Sequence, residues 1–149
     1  MAASGVDIGL RAEVKKLFFD RKAVTSAVDK AQRKVLSKAG AFVRRHAVRS
    51  IRSHKGVSAP GKPPHSHTGL LKRNIFFAYE PKRSGVVIGP VRLRETHGTA
   101  PRLLELGGTA RRRDGRALRT LKYRPRPYMS PALSAEAPKF PNLFRNSVR

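Results

Sequence analysis

The chain has 149 residues, 39% of them hydrophobic and none of them cysteine, which suits one domain with a modest core and excludes a disulfide scaffold or a thiolate metal site. Lys and Arg number 33 against 9 Asp and Glu, a formal charge of +24, and such a field favours polyanions, whether DNA, RNA or the acidic face of another protein. No apolar run approaches the roughly 20 residues of a membrane span, and Met1 to Leu10 lacks the apolar stretch of a signal peptide, so the expectation is a soluble protein that is not exported and has no membrane partner.

Leu10, Val14, Leu17 and Phe18 carry helical spacing in the short segment from Leu10 to Phe19. From about Arg21 to His54 the pattern predicts a long helix, in which Val24, Val28, Ala31, Val35, Ala39 and Phe42 advance by three or four. Lys30, Arg33, Lys34, Arg44 and Arg52 fall on the other side, so one face packs and the other stays wet. Val48 and Ile51 leave the stripe, which predicts that the last turns bend or touch a different surface. At 1.5 Å per residue the helix would be roughly 50 Å long, more than a domain of this size needs, and its end is expected to project toward a neighbour.

Lys55 to His67 reads as an irregular, flexible loop in which Pro60, Pro63 and Pro64 forbid helix and central strand alike. Thr68 is placed to cap a short turn through Leu71. Ile75 to Tyr79 then reads as a strand, Pro81 to Gly85 as a hairpin turn and Val86 to Ile88 as the return strand, with Val91 to Arg94 continuing it beyond a bulge. Pro101 to Leu106 predicts one helical turn stopped by Gly107 and Gly108. The basic stretch from Arg111 to Arg126 reads as an exposed loop or an extended hairpin, flexible over about 111–122. Ser130 and Pro131 form an N-cap and first-turn pair, so a helix is expected to start there and to be broken by Pro138 and Pro141.

Chemistry-bearing groups are scattered. Glu105 is a lone carboxylate, whereas general acid/base work needs a second group and a pocket. His54, His65, His67 and His97 have no cysteine and no close second pair of ligands, so they read as ordinary loop histidines and no metal is expected. Lys72 and Arg73 follow Thr68-Gly69, but one glycine does not make a phosphate loop. No Ser-His-Asp or Cys-His arrangement has motif context. The reading is a protein without catalytic residues, without a cofactor and without enzymatic activity.

Three Gly/Pro-punctuated motifs stand out by their order: Ser58-Ala-Pro-Gly-Lys-Pro-Pro64 running into Thr68-Gly-Leu-Leu71, then Leu104-Glu-Leu-Gly-Gly-Thr109, then Arg126-Pro-Tyr-Met-Ser-Pro-Ala-Leu133. Each fixes backbone shape, because Gly opens positive φ and Pro locks φ and removes a donor. Pro60, Gly61, Pro63, Pro64, Gly69, Glu105, Gly107, Gly108, Pro127 and Pro131 are therefore read as structural or interface positions. The series resembles the phage tail-component family, the tail completion or minor tail protein Z-like proteins of the neck between head and tail. Lys16-Leu-Phe-Phe-Asp20, Leu36 to Val43 and Val86 to Pro90 are similar to the family's running pattern, so the likeness covers most of the chain.

The resemblance implies a single α+β domain over 1–149, with a long N-terminal helix packed on a small antiparallel sheet and short C-terminal helices. It implies a virion protein made in the host cytoplasm, a structural subunit forming a ring, commonly a hexamer, in the bacteriophage neck. Head-connector, tail-terminator and tail-tube proteins would be its partners in viral assembly and head-tail joining. The arginine density departs from the family pattern and leaves Arg111, Arg112, Arg113, Arg116, Arg119, Lys122 and Arg124 open to three roles: a solvated loop, an arm for acidic protein surfaces, or a weak DNA-backbone contact. Few aromatics interleave with them, so base stacking is not expected. A basic, sequence-independent nucleic-acid-binding protein is the alternative, and it accounts for the charge alone.

Overall fold

The computed structural model describes residues 20–91, 100–115, 117–145 and 147. The helix expected before Asp20, most of the strand continuation after Val91, His97 and Arg116 lie outside the described residues. The architecture is α+β, a long helix lying on a small antiparallel sheet, with short helices at the C-terminal end.

Helix α1 spans Arg21–Ser50. Asp20 caps it, its Oδ1 accepting from the Ala23 N–H at 3.1 Å, which satisfies one of the amides that a helix start leaves orphaned. The buried row is Ala31, Val35, Ala39, Val43, Ala47 and Ile51 just past the end, one residue in every four. Four residues overshoot a turn of 3.6, so the row winds slowly around the helix and meets different elements along its length. Ile51, off the predicted stripe, is fully buried, whereas Val24 and Val28, on it, are exposed. The first three turns, through Lys30, are exposed on every side.

Helix α2, Leu70–Arg73, follows Gly69, whose φ of 71° opens the turn. Gly69, rather than Thr68, is the N-cap residue, although the Thr68 hydroxyl still accepts from the Leu70 N–H at 3.4 Å. Strands β1 (Ile75–Glu80) and β2 (Gly85–Pro90) pair antiparallel from Ile75 opposite Pro90 to Glu80 opposite Gly85, joined by a 3-10 turn at Pro81–Arg83. This hairpin crosses α1 at Gly40, where a Cβ would stand 2.8 Å from Val86 Cγ2 and 3.0 Å from the Phe77 ring. Hydrogen is the largest group that fits there. Arg44 ties the layers together, its Nε donating to the Ile75 carbonyl at 2.6 Å.

Helix α3 is Ala100–Leu106; strands β3 (Gly108–Asp114) and β4 (Ala117–Tyr123) form a second, separate hairpin. Helix α4, Met129–Glu136, packs on α1, and Ala132, Tyr128, Ile75, Leu71, Val43, Ala47 and Ile51 make the core. Pro138 and Pro141 do not end the helical path. Each sits in a first turn, of a 3-10 turn at Ala137–Lys139 and of helix α5 at Phe140–Phe144, where a missing N–H costs nothing. The loop before α2 is less free than its composition implies: Ser58, Pro64 and Ser66 are buried, and the Ser66 N–H donates to the Arg52 carbonyl at 2.9 Å.

Candidate interaction site: a cationic hairpin on a braced base

The basic stretch takes the extended-hairpin form. In register, Thr109 faces Lys122, Arg111 faces Thr120, Arg112 faces Arg119 and Arg113 faces Leu118. The pleat puts Arg111, Arg113 and Lys122 on one face. Arg111, Arg113, Arg119, Lys122 and Arg124 are exposed. The turn passes through Gly115 at a φ of 61°. Ion pairs among the described side chains, His46–Glu136, Lys139–Glu136 and Arg83–Glu80, all lie on the body and not on this hairpin.

The three Gly/Pro motifs meet at the hairpin's base. The Gly61 N–H donates to the Pro125 carbonyl at 2.9 Å, Arg126 Nε to the Ser58 carbonyl at 2.8 Å, and the Arg126 N–H to the Leu104 carbonyl at 2.6 Å. Between Pro125 and Pro127, Arg126 holds the one backbone donor of its tripeptide, and that donor is used. Gly107 ends α3 at a φ of 72°, its N–H donating to the Leu103 carbonyl at 2.9 Å, and a Cβ there would lie 3.0 Å from the Tyr123 carbonyl oxygen. Both feet of the hairpin, at Gly107–Gly108 and at Tyr123–Pro125, are thereby fixed to the body.

Glu105 completes the base. Its Oε2 accepts from the Tyr128 and Met129 N–H groups at 2.8 and 3.0 Å, and its Oε1 accepts from the Ser130 N–H and hydroxyl at 2.8 and 2.7 Å. These are the orphan amides at the start of α4, and Pro131, the next residue, has no amide to satisfy. Ser130, expected as the N-cap, is instead inside the helix: α4 begins at Met129 with Tyr128 as its N-cap residue and no capping side chain of its own. The cap is a carboxylate from a distant segment. Burial raises the Glu105 carboxyl, but the hydrogen bonds from Tyr128, Met129 and Ser130 outweigh it and hold the group below its ordinary value. Tyr128, 1% exposed, has its phenol pushed up to about 12 by burial and by the Glu105 charge.

Of the other positions named from the sequence, Pro64 is fully buried, Pro63 and Pro127 are half-buried, and Pro60 and Pro131 are exposed. Gly69 lies apart from the hairpin base, at the start of α2. Sequence reasoning missed Arg126 and Tyr128. The Pro-Arg-Pro-Tyr run carries a signal for the first, because it leaves one amide donor among three residues. Nothing marks the second as the largest fully buried side chain.

Among the described residues no group of His, Cys, Asp and Glu gathers as a metal site would require, and no helix is long and apolar enough to cross a membrane. No family model, no curated protein and no solved structure matches the chain.

Proposed function

We propose that the chain is a structural subunit of a phage neck, a tail completion or head-tail joining protein that forms a ring between the head connector and the tail tube and catalyses no reaction. The observation that carries this reading is the convergence of the three ordered motifs on the base of one cationic hairpin. Motifs that set backbone shape and meet at one junction fit a protein built to anchor the base of an arm that a partner then orders. The exposed first turns of α1 supply a second projecting element, suited to contact between copies.

The hairpin's partner, in this reading, is an acidic surface on a neighbouring neck or tail protein. Guanidinium forks match carboxylates bidentately, and each such charge-assisted pair is stronger than a neutral hydrogen bond. Tight hold on DNA by the same arm would retard the genome's passage through the ring. Mass measurement on necks isolated from particles tests the assignment: a copy number matching the tail's rotational symmetry, with the hexamer expected, supports it, and a number unrelated to that symmetry contradicts it.

A further inference from the structure

A second cationic feature lies at the C-terminal end of α1. Two adjoining clefts, of about 580 and 590 Å³, share Arg49 and Ser50. Arg45, His46 and Lys139 line one, and Arg52, Lys62 and His65 line the other. Arg45 and Arg49 stand on one helix face about 6 Å apart along the axis, and Arg52 lies just past the helix end, in a backbone bridge to His65. His46 and Lys139 are engaged by Glu136, whose carboxyl is held low first by Lys139 and then by His46. No described carboxylate pairs with Arg45, Arg49, Arg52 or Lys62.

One further atom points to a ligand. Ser58 lines the second cleft, is 6% exposed, and its Oγ has no hydrogen-bond partner, which makes it the unsatisfied buried side-chain group among the described residues. An unmade hydrogen bond of this kind carries a desolvation cost.

We propose that the joined clefts form a groove for the phosphate backbone of duplex DNA, separate from the hairpin and blind to base sequence. Arg45 and Arg49 follow each other along the helix, and Arg52 and Lys62 line the adjoining cleft, so the donors are spread over two clefts instead of converging on one point, which suits a repeating chain of phosphates better than a single small anion. Guanidinium and ammonium groups supply the charge. The inference does not depend on the neck reading: either can fail alone.

The test is fluorescence anisotropy of a short mixed-sequence duplex titrated with the full chain between about 50 and 200 mM salt. Arg49→Gln, Arg52→Gln and Lys62→Gln together are expected to weaken binding about tenfold or more and to lower the log-log salt slope by about 0.9 for each phosphate contact removed. The single change Lys62→Gln, in a loop and exposed, is expected to lower the slope by about 0.9 with no change in melting, which keeps the test valid if the triple variant folds poorly. A variant with Arg111, Arg112 and Arg113 changed to Ser is expected to keep the wild-type slope. Wild-type DNA binding by both groove variants overturns the proposal, as does loss of binding confined to the hairpin variant. Loss of poly-glutamate binding with DNA binding retained by the groove variants also overturns it, and assigns the groove to an acidic protein.

Discussion

The Glu105 carboxylate holds Ser130 twice, through its N–H at 2.8 Å and its hydroxyl at 2.7 Å, and so joins the turn that launches the arginine hairpin to the helix that follows it. Because the hydrogen bonds depress this carboxyl below its ordinary value of 4.5, they stabilise the fold fully above that value, and the contribution is lost as pH falls through the lower, folded-state value. Glu105→Gln should cost about 1 kcal/mol at neutral pH, the scale of a lost N-cap, and should flatten the acid limb of stability. Thermal melts of both proteins from neutral pH down to acid check it. Glu136, held low by Lys139 and His46, contributes to the acid loss that remains in the variant.

Gly40 is the point of closest approach between α1 and the first hairpin. Alanine would improve helix propensity by about 1 kcal/mol, but its methyl would lie 2.8 Å from the stiff Val86 side chain. Overpacking of this kind costs about 1 to 3 kcal/mol, so Gly40→Ala should destabilise despite the propensity gain. Gly89→Ala, where a Cβ meets nothing within 4 Å, should change stability by less than about 0.5 kcal/mol. Urea titration of the two variants separates the effects.

Hydrogen exchange should divide the second hairpin from its base. A lone two-stranded ribbon is marginal in water, so amides in 111–122 should exchange fast in the free protein. The base should be slower: the Gly61, Gly107 and Arg126 amides all donate to backbone carbonyls. Strong protection across 111–122 in the isolated chain would contradict a hairpin that gains its order from a partner.

The long helix and the first hairpin were legible because each is written in local periodicity: Ala31, Val35 and Ala39 repeat at helical spacing, and Pro81 to Gly85 announces its own turn. The stripe's beginning misled, since Val24 and Val28 repeat at helical spacing but extend past the described layers and are exposed. The α4 cap was unreadable for a different reason. Ser130-Pro131 is a complete local signal for a helix start, and it is displaced by Glu105, 25 residues earlier in the chain. Likewise, the motifs announced turns, but their meeting at Arg126 rests on long-range hydrogen bonds that no spacing encodes.

Joining of tails to filled heads, reconstituted with purified chain, tests the central claim most directly. Wild-type protein should restore joining to heads and tails that lack it. A variant with Arg111, Arg112 and Arg113 replaced by Ser should fail to do so while its stability stays within about 0.5 kcal/mol of wild type, because the changes fall on one strand of a two-stranded hairpin in which Arg111 and Arg113 are exposed. Normal joining by that variant, together with tight, sequence-selective DNA binding by the wild type at physiological salt, would contradict the neck assignment and favour a nucleic-acid-binding protein.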